Sequence, residues 1–202
     1  MLIITNDGKG SIVEFTFRII KGKNDKSNIT IYLNNCLEGM RNCLKKNSID
    51  IVVTSPYNIG INYNTYEDTL PIEKYLAWLK IIGLEIKPVL KNGGSFFLNV
   101  STHLKDYWIA RDMANTMRED FVLQNIILWG KSIVTNKHDV GKYENMIGDI
   151  AVGHFKPIVN NRFLTDCYEY IFHFTKEENT TLDKLSVGFT YQDKQTLKDG
   201  NQ

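Results

Sequence analysis

No apolar run in the chain approaches the roughly 18 to 20 residues a membrane-spanning helix needs, so no membrane partner is expected. Residues 1–7 lack the charged start and long apolar centre of a secretion signal, which points to the cytoplasm. Cysteine is scarce: Cys36, Cys43 and Cys167 form neither a disulfide framework nor a zinc spacing. Cys36 and Cys43 are seven apart, so on a helix they share a face and read as small core residues. The histidines (His103, His138, His154, His173) show no ligand spacing, and a metal site is not expected. An excess of one charge is also missing. The net charge of +1 lacks the strongly basic balance of many nucleic-acid binders. That does not exclude DNA, because an acidic face cancels a basic one in the sum. Lys21/Lys23/Lys26 and Lys45/Lys46 read as solvated surface.

What remains is an ordinary globular composition, 43% hydrophobic, in a chain of 202 residues that is long enough for one sizeable core. Val13, Phe15 and Phe17 alternate with polar residues as in a short strand, and residues 28–33 are rich in strand formers. Leu37, Met40, Cys43 and Leu44 predict a helix over about 36–46. The stretch Ile49-Asp50-Ile51-Val52-Val53-Thr54 is almost wholly apolar and predicts a strand buried on both faces. Ile72, Tyr75, Leu76, Leu79, Ile82 and Ile86 predict a helix over about 71–90, capped by Asp68 or Thr69, with Pro71 in its first turn. Asn92-Gly93-Gly94 would end that helix as a left-handed cap. Strands are expected at 95–100, 121–129 and 166–175, and a helix at 106–117. Residues 130–160 lose periodicity, as functional or mobile segments do. Alternating strands and helices describe a doubly wound, mostly parallel α/β sheet. Ligands of such sheets bind beyond the C-terminal strand ends. Ser55-Pro56-Tyr57 and Asn99-Val100-Ser101 lie at two of those ends.

An apolar strand that ends in Ser-Pro-Tyr delivers a hydroxyl, a carbonyl and a ring to a pocket edge. A serine hydroxyl and a neighbouring carbonyl are fixed acceptors. They can hold the hydrogens of a base amino group while its nitrogen becomes tetrahedral. Proline has a locked φ and offers no competing N–H. An adjacent tyrosine can stack on a base that has left the duplex. Such a transfer relies on positioning more than on acid-base chemistry.

The tripeptide sits inside a longer resemblance. Ile-Asp-Ile-Val-Val-Thr-Ser-Pro-Tyr-Asn-Ile-Gly-Ile-Asn-Tyr, residues 49–63, resembles the catalytic segment of restriction-modification DNA amino-methyltransferases. Those enzymes carry Thr-Ser-Pro-Pro-Tyr-Asn-Ile-Gly. Gly94-Ser95-Phe96-Phe97-Leu98-Asn99-Val100 is similar to their next core strand. Phe121 to Asn125, with Trp129 and Lys131-Ser132-Ile133, is similar to a later strand and loop. Residues 152–157, 161–164 and 168–176 resemble their remaining blocks, so about 28–193 matches in order.

The resemblance implies an S-adenosylmethionine-dependent, Rossmann-like methyltransferase acting on double-stranded DNA, with N4 of cytosine favoured over N6 of adenine. Ser55, Pro56 and Tyr57 would be catalytic. Asn35, Cys36 and Thr54 would touch the cofactor, and Lys131, His154, Lys156 and Arg162 would contact DNA. Residues 1–27 would be an extension and 28–129 the catalytic core. Residues 130–165 would be a DNA-facing loop, and 166–202 the last strand and end. The block order implies the permuted subclass, whose Phe-x-Gly-x-Gly cofactor loop follows the catalytic motif. No such loop is present in the sequence, so the fold would be incomplete and the chain the N-terminal part of such an enzyme. The motif is also one proline short, and Asn35 stands where the family has aspartate. One residue shifts an extended chain by about 3.8 Å and reverses side-chain direction, so Thr54 could stand in for Ser55. The alternative is a catalytically inactive remnant that binds DNA, a complementing subunit or its own copy through an apolar sheet edge left where the cofactor strand is missing. A methyltransferase for RNA or a protein amide ranks lower, because those relatives place the glycine-rich loop before the motif.

Overall fold

The computed structural model describes residues 2–4, 18–21, 28–32, 35–57, 59, 70–103, 106–130, 133–135, 150–152, 161 and 168–182. Its centre is a five-stranded sheet. In spatial order the strands are β1 (Leu2–Ile4), β4 (Ile49–Thr54), β5 (Leu90–Val100), β9 (Tyr168–Thr175) and β6 (Val122–Gly130). β1, β4 and β5 run parallel. β9 is antiparallel to both β5 and β6. The sheet is therefore mixed, an α/β arrangement with one parallel and one antiparallel flank. β2 (Arg18–Lys21) and β3 (Asn28–Ile31) form a separate antiparallel pair, as do β7 (Ile133–Thr135) and β8 (Ile150–Val152). The last pair lies in the stretch expected to lack elements. Its three-residue strands are too short for periodicity to reveal.

Among the described residues three helices join the strands: α1 (Cys36–Cys43), α2 (Ile72–Val89) and α3 (Ile109–Asn115). Val52, Phe96, Leu98, Val100, Phe172 and Phe174 share one sheet face, as their register requires. They form a single core with Met40 of α1, Tyr75, Leu79, Ile82 and Ile86 of α2, and Ile109, Ala110 and Met113 of α3. The other face is more polar: Ser95, His173 and Thr175 are buried there, beside half-buried Phe97. Hence the expectation that β4 is buried on both faces fails. Val52 and Thr54 are buried, but Ile51 is 39% exposed, because the core helices cover its opposite side.

Two local details differ from expectation for steric reasons. Helix α2 ends one residue before Leu90, whose extended backbone leads directly into β5. Pro88 removes one N–H from the last turn. Asn92-Gly93-Gly94 is therefore strand, at a register irregularity between β4 and β5, and not a helix cap. Gly94 is needed for space. A Cβ there would sit 2.8 Å from Leu90 Cδ1 and 3.0 Å from the Asp50 carbonyl oxygen. At the other end, Pro71 itself is the N-cap of α2, with no side-chain cap bond. Asp68 and Thr69 lie outside the described residues.

On the edge of β4 away from β5, the chain pairs with β1. Among the described residues the exposed apolar edge strand is β6, where Ile126, Ile127, Leu128 and Trp129 are each more than 40% exposed. Residues 13–17 and Cys167 lie outside the described set.

Candidate active site

β4 carries its chain to the C-terminal end of the sheet and releases it at Ser55. Side-chain alternation continues through the tip: Thr54 is buried, Ser55 exposed and Pro56 buried. Ser55 thus faces out, and its hydroxyl has no hydrogen-bond partner among the described residues.

Tyr57 is anchored by α2. The ring of Tyr57 meets Tyr75 edge-on at 5.1 Å and Trp78 at 5.5 Å, and those two rings are 5.7 Å apart. Tyr75 is fully buried, and its hydroxyl donates a 2.8 Å hydrogen bond to the Tyr57 carbonyl oxygen. That bond fixes the exit of the motif from beneath. The Tyr57 carbonyl is therefore engaged, while the Ser55 hydroxyl is open. The same Tyr75 oxygen lies 4.0 Å from Met113 Sδ of α3. Sequence periodicity marked Tyr75 only as a helix core position. Its hydroxyl, a polar tip on a buried ring, was the available signal that it ties something in place.

Beside the motif is a hollow lined by Ile59, Ser101, Thr102, His103, Ile109 and Met113. Ile59 follows the motif. Ser101 to His103 leave β5, and Ile109 and Met113 belong to α3. The structure thus brings together the strand ends of β4 and β5, as the sheet topology requires of a ligand site.

Asn35 and Cys36 sit at the start of α1, which packs on α2 through the Arg41–Glu85 ion pair at 2.6 Å. Asn35 Oδ1 accepts the Leu37 N–H at 2.9 Å and so caps the helix. Burial pushes the Cys36 thiol above its ordinary pKa, against the opposing backbone bonds from Leu37 and Cys36 itself. It is protonated at neutral pH and is not a nucleophile. Thr54 is only 5% exposed, Asn35 is occupied as a cap, and no Phe-x-Gly-x-Gly is present in the sequence. These residues alone do not enclose S-adenosylmethionine. Lys131, His154, Lys156 and Arg162 lie outside the described residues. Among the described residues no cluster of His, Cys, Asp or Glu could hold a metal, and no helix is long and apolar enough to cross a membrane.

Residues 49–201 match a family model described as N6/N4 DNA methylase. The type II methyltransferase M.MjaVI of Methanocaldococcus jannaschii is 30% identical over 121 residues, covering 57% of this chain and 62% of that protein. M.HpaI of Haemophilus parainfluenzae is 38% identical over 69 residues, covering 32% of this chain and 20% of that protein. The chain thus spans less than two thirds of the length of these curated relatives. The solved structure of the cytosine-N4-specific PvuII DNA methyltransferase is 17% identical, with a TM-score of 0.46 over 73% of this chain and 49% of that one.

Proposed function

Because the chain belongs to the N6/N4 DNA methylase family, we propose that it forms the base-handling part of a site-specific DNA amino-methyltransferase. The reaction is transfer of a methyl group from S-adenosylmethionine to an exocyclic amino group of double-stranded DNA, with N4 of cytosine favoured over N6 of adenine. The observation that carries this reading is the geometry of the tip: an outward Ser55 hydroxyl with no partner among the described residues, on a strand end braced by the Tyr75 hydroxyl through the Tyr57 carbonyl.

Ser55 Oγ and the Pro56 carbonyl accept the hydrogens of the amino group. Both are acceptors aimed at the charge that develops on the nitrogen. Tyr57, braced by Tyr75 and Trp78, supplies an aromatic wall for the displaced base. Residues 28–129 act as the catalytic core. In the DNA-facing stretch 130–165, Lys131, His154, Lys156 and Arg162 neutralise phosphates. Asn35, Cys36 and Thr54 form the near wall for the donor. Its glycine-rich cradle would come from elements not in these residues, such as a complementing chain.

The test is incorporation of labelled methyl groups into duplex DNA by the full chain and by Ser55→Ala, with a parallel titration of S-adenosylmethionine. Transfer by the full chain that Ser55→Ala abolishes supports the reading. Equal transfer by both sinks the assignment of Ser55. A second reading, a DNA- or partner-binding module without transfer, is favoured by the exposed β6 edge. DNA binding with no donor binding selects it.

A further inference from the structure

We propose that Trp108 and Arg111 form a stacking platform for an unpaired DNA base and its phosphate at the rim of the site, an inference that rests on the DNA reading above. Trp108 is 68% exposed, more than any other large hydrophobic side chain among the described residues. It stands in the connection from β5 to α3, directly before Ile109, which lines the hollow. An indole in water on the ligand side of the sheet contributes nothing to the core.

Its backbone is nevertheless held. The Trp108 N–H donates to Asp106 Oδ1 at 2.9 Å, and the Asp106 N–H donates to the His103 carbonyl at 2.9 Å. The guanidinium of Arg111 lies over the indole, 5.4 Å from its centroid. Arg111 has no carboxylate partner among the described residues. Of the acidic side chains nearby, Asp106 is engaged with the Trp108 N–H, and Asp112 follows Arg111 in α3. An exposed indole and a cation over it without a carboxylate partner are the two elements that single-stranded nucleic-acid sites combine. A base drawn from the duplex leaves its neighbours partly unstacked. A ring beside the pocket mouth can cover such a neighbour, while the guanidinium meets the adjoining phosphate.

The experiment measures fluorescence anisotropy of a labelled 12-nucleotide single strand and of the matching blunt duplex, titrated with the full chain. Trp108→Ala should weaken single-strand binding about tenfold and leave duplex binding nearly unchanged, and Trp108→Phe should retain affinity within about threefold. Arg111→Ala should lower the slope of log affinity against log salt by roughly 0.7 on the single strand. Thermal melting should be the same for all three variants, since both side chains are at the surface. Unchanged single-strand affinity in Trp108→Ala overturns the platform, as does an equal loss on both DNAs. A wild-type chain that binds neither DNA overturns the DNA reading and the platform with it, so the two failures are separable.

Discussion

Replacing Tyr75 with phenylalanine removes one oxygen and keeps the ring. The lost hydroxyl donates at 2.8 Å to the carbonyl of Tyr57, 18 residues earlier in the chain. The residue is 0% exposed, so water cannot take over on the Tyr75 side. A net hydrogen bond contributes about 1 kcal/mol, and a stranded partner raises the cost towards 2. For a chain of this size each kcal/mol moves the melting temperature by about 2–4 °C, so a fall of roughly 2–8 °C is expected. Tyr75→Ala loses the rings' packing as well and should cost about 3–5 kcal/mol. Urea unfolding followed by tryptophan fluorescence reads both, because Trp78 is 5.7 Å from Tyr75. If Tyr75→Phe unfolds at the wild-type midpoint, the hydroxyl does not hold the motif. If Tyr75→Ala is no worse than Tyr75→Phe, the aromatic cluster does not either.

Stability should fall as pH drops. Burial holds His173 below its ordinary pKa, Asn125 Nδ2 contacts its Nδ1 at 3.1 Å, and Ser95 Oγ contacts its Nε2 at 2.9 Å. The unfolded chain binds this proton near pH 6.5 while the folded chain does not. Stability is therefore complete above about pH 6.5 and is lost below it, by up to about 1.4 kcal/mol per pH unit until the folded value is reached. Urea midpoints at pH 7.5 and 5.5 should differ, and His173→Gln should shrink the difference. Gly83→Ala places a Cβ 2.4 Å from Met117 Sδ, a side chain 1% exposed, and should destabilise by about 1–3 kcal/mol despite better helix propensity. Met117→Ala, itself destabilising by about 2–5 kcal/mol, should combine with Gly83→Ala less than additively in a double-mutant cycle. Asn35→Ala should cost about 0.5–2 kcal/mol by denaturant melt, through loss of the α1 cap.

Helix α2 was legible because Ile72, Tyr75, Leu79, Ile82 and Ile86 repeat at helical spacing, and the structure places it at Ile72–Val89. The end of α2 differs from the expected glycine cap, since Gly94 serves a close approach to Leu90 and the Asp50 carbonyl, a use that residue types alone do not show. Helix α1 stops at Cys43, short of 46, because Leu44 turns extended and Asn47 takes a φ of 51° ahead of β4. The motif end of the site was visible as residue types. The partner of the hydroxyl that braces it was not, because a polar tip on a buried ring signals a bond without naming the main-chain atom that accepts it. The Trp108–Arg111 pair was equally silent, being one indole and one cation at a common spacing.

The strand order carries a consequence for how the chain is made. β9 is the last of the described strands in sequence, yet it lies between β5 and β6 and bonds to both. On a ribosome, β5 and β6 would emerge with no partner for their facing edges until residues near 170 follow, an interval on the order of seconds. During that interval the apolar residues of β6 have only each other, or a chaperone, to meet. The same arrangement makes the connection between β6 and β9 a natural place to divide the gene. A fragment ending after Gly130 would hold an open slot, and a peptide carrying Tyr168–Thr175 would be its insert.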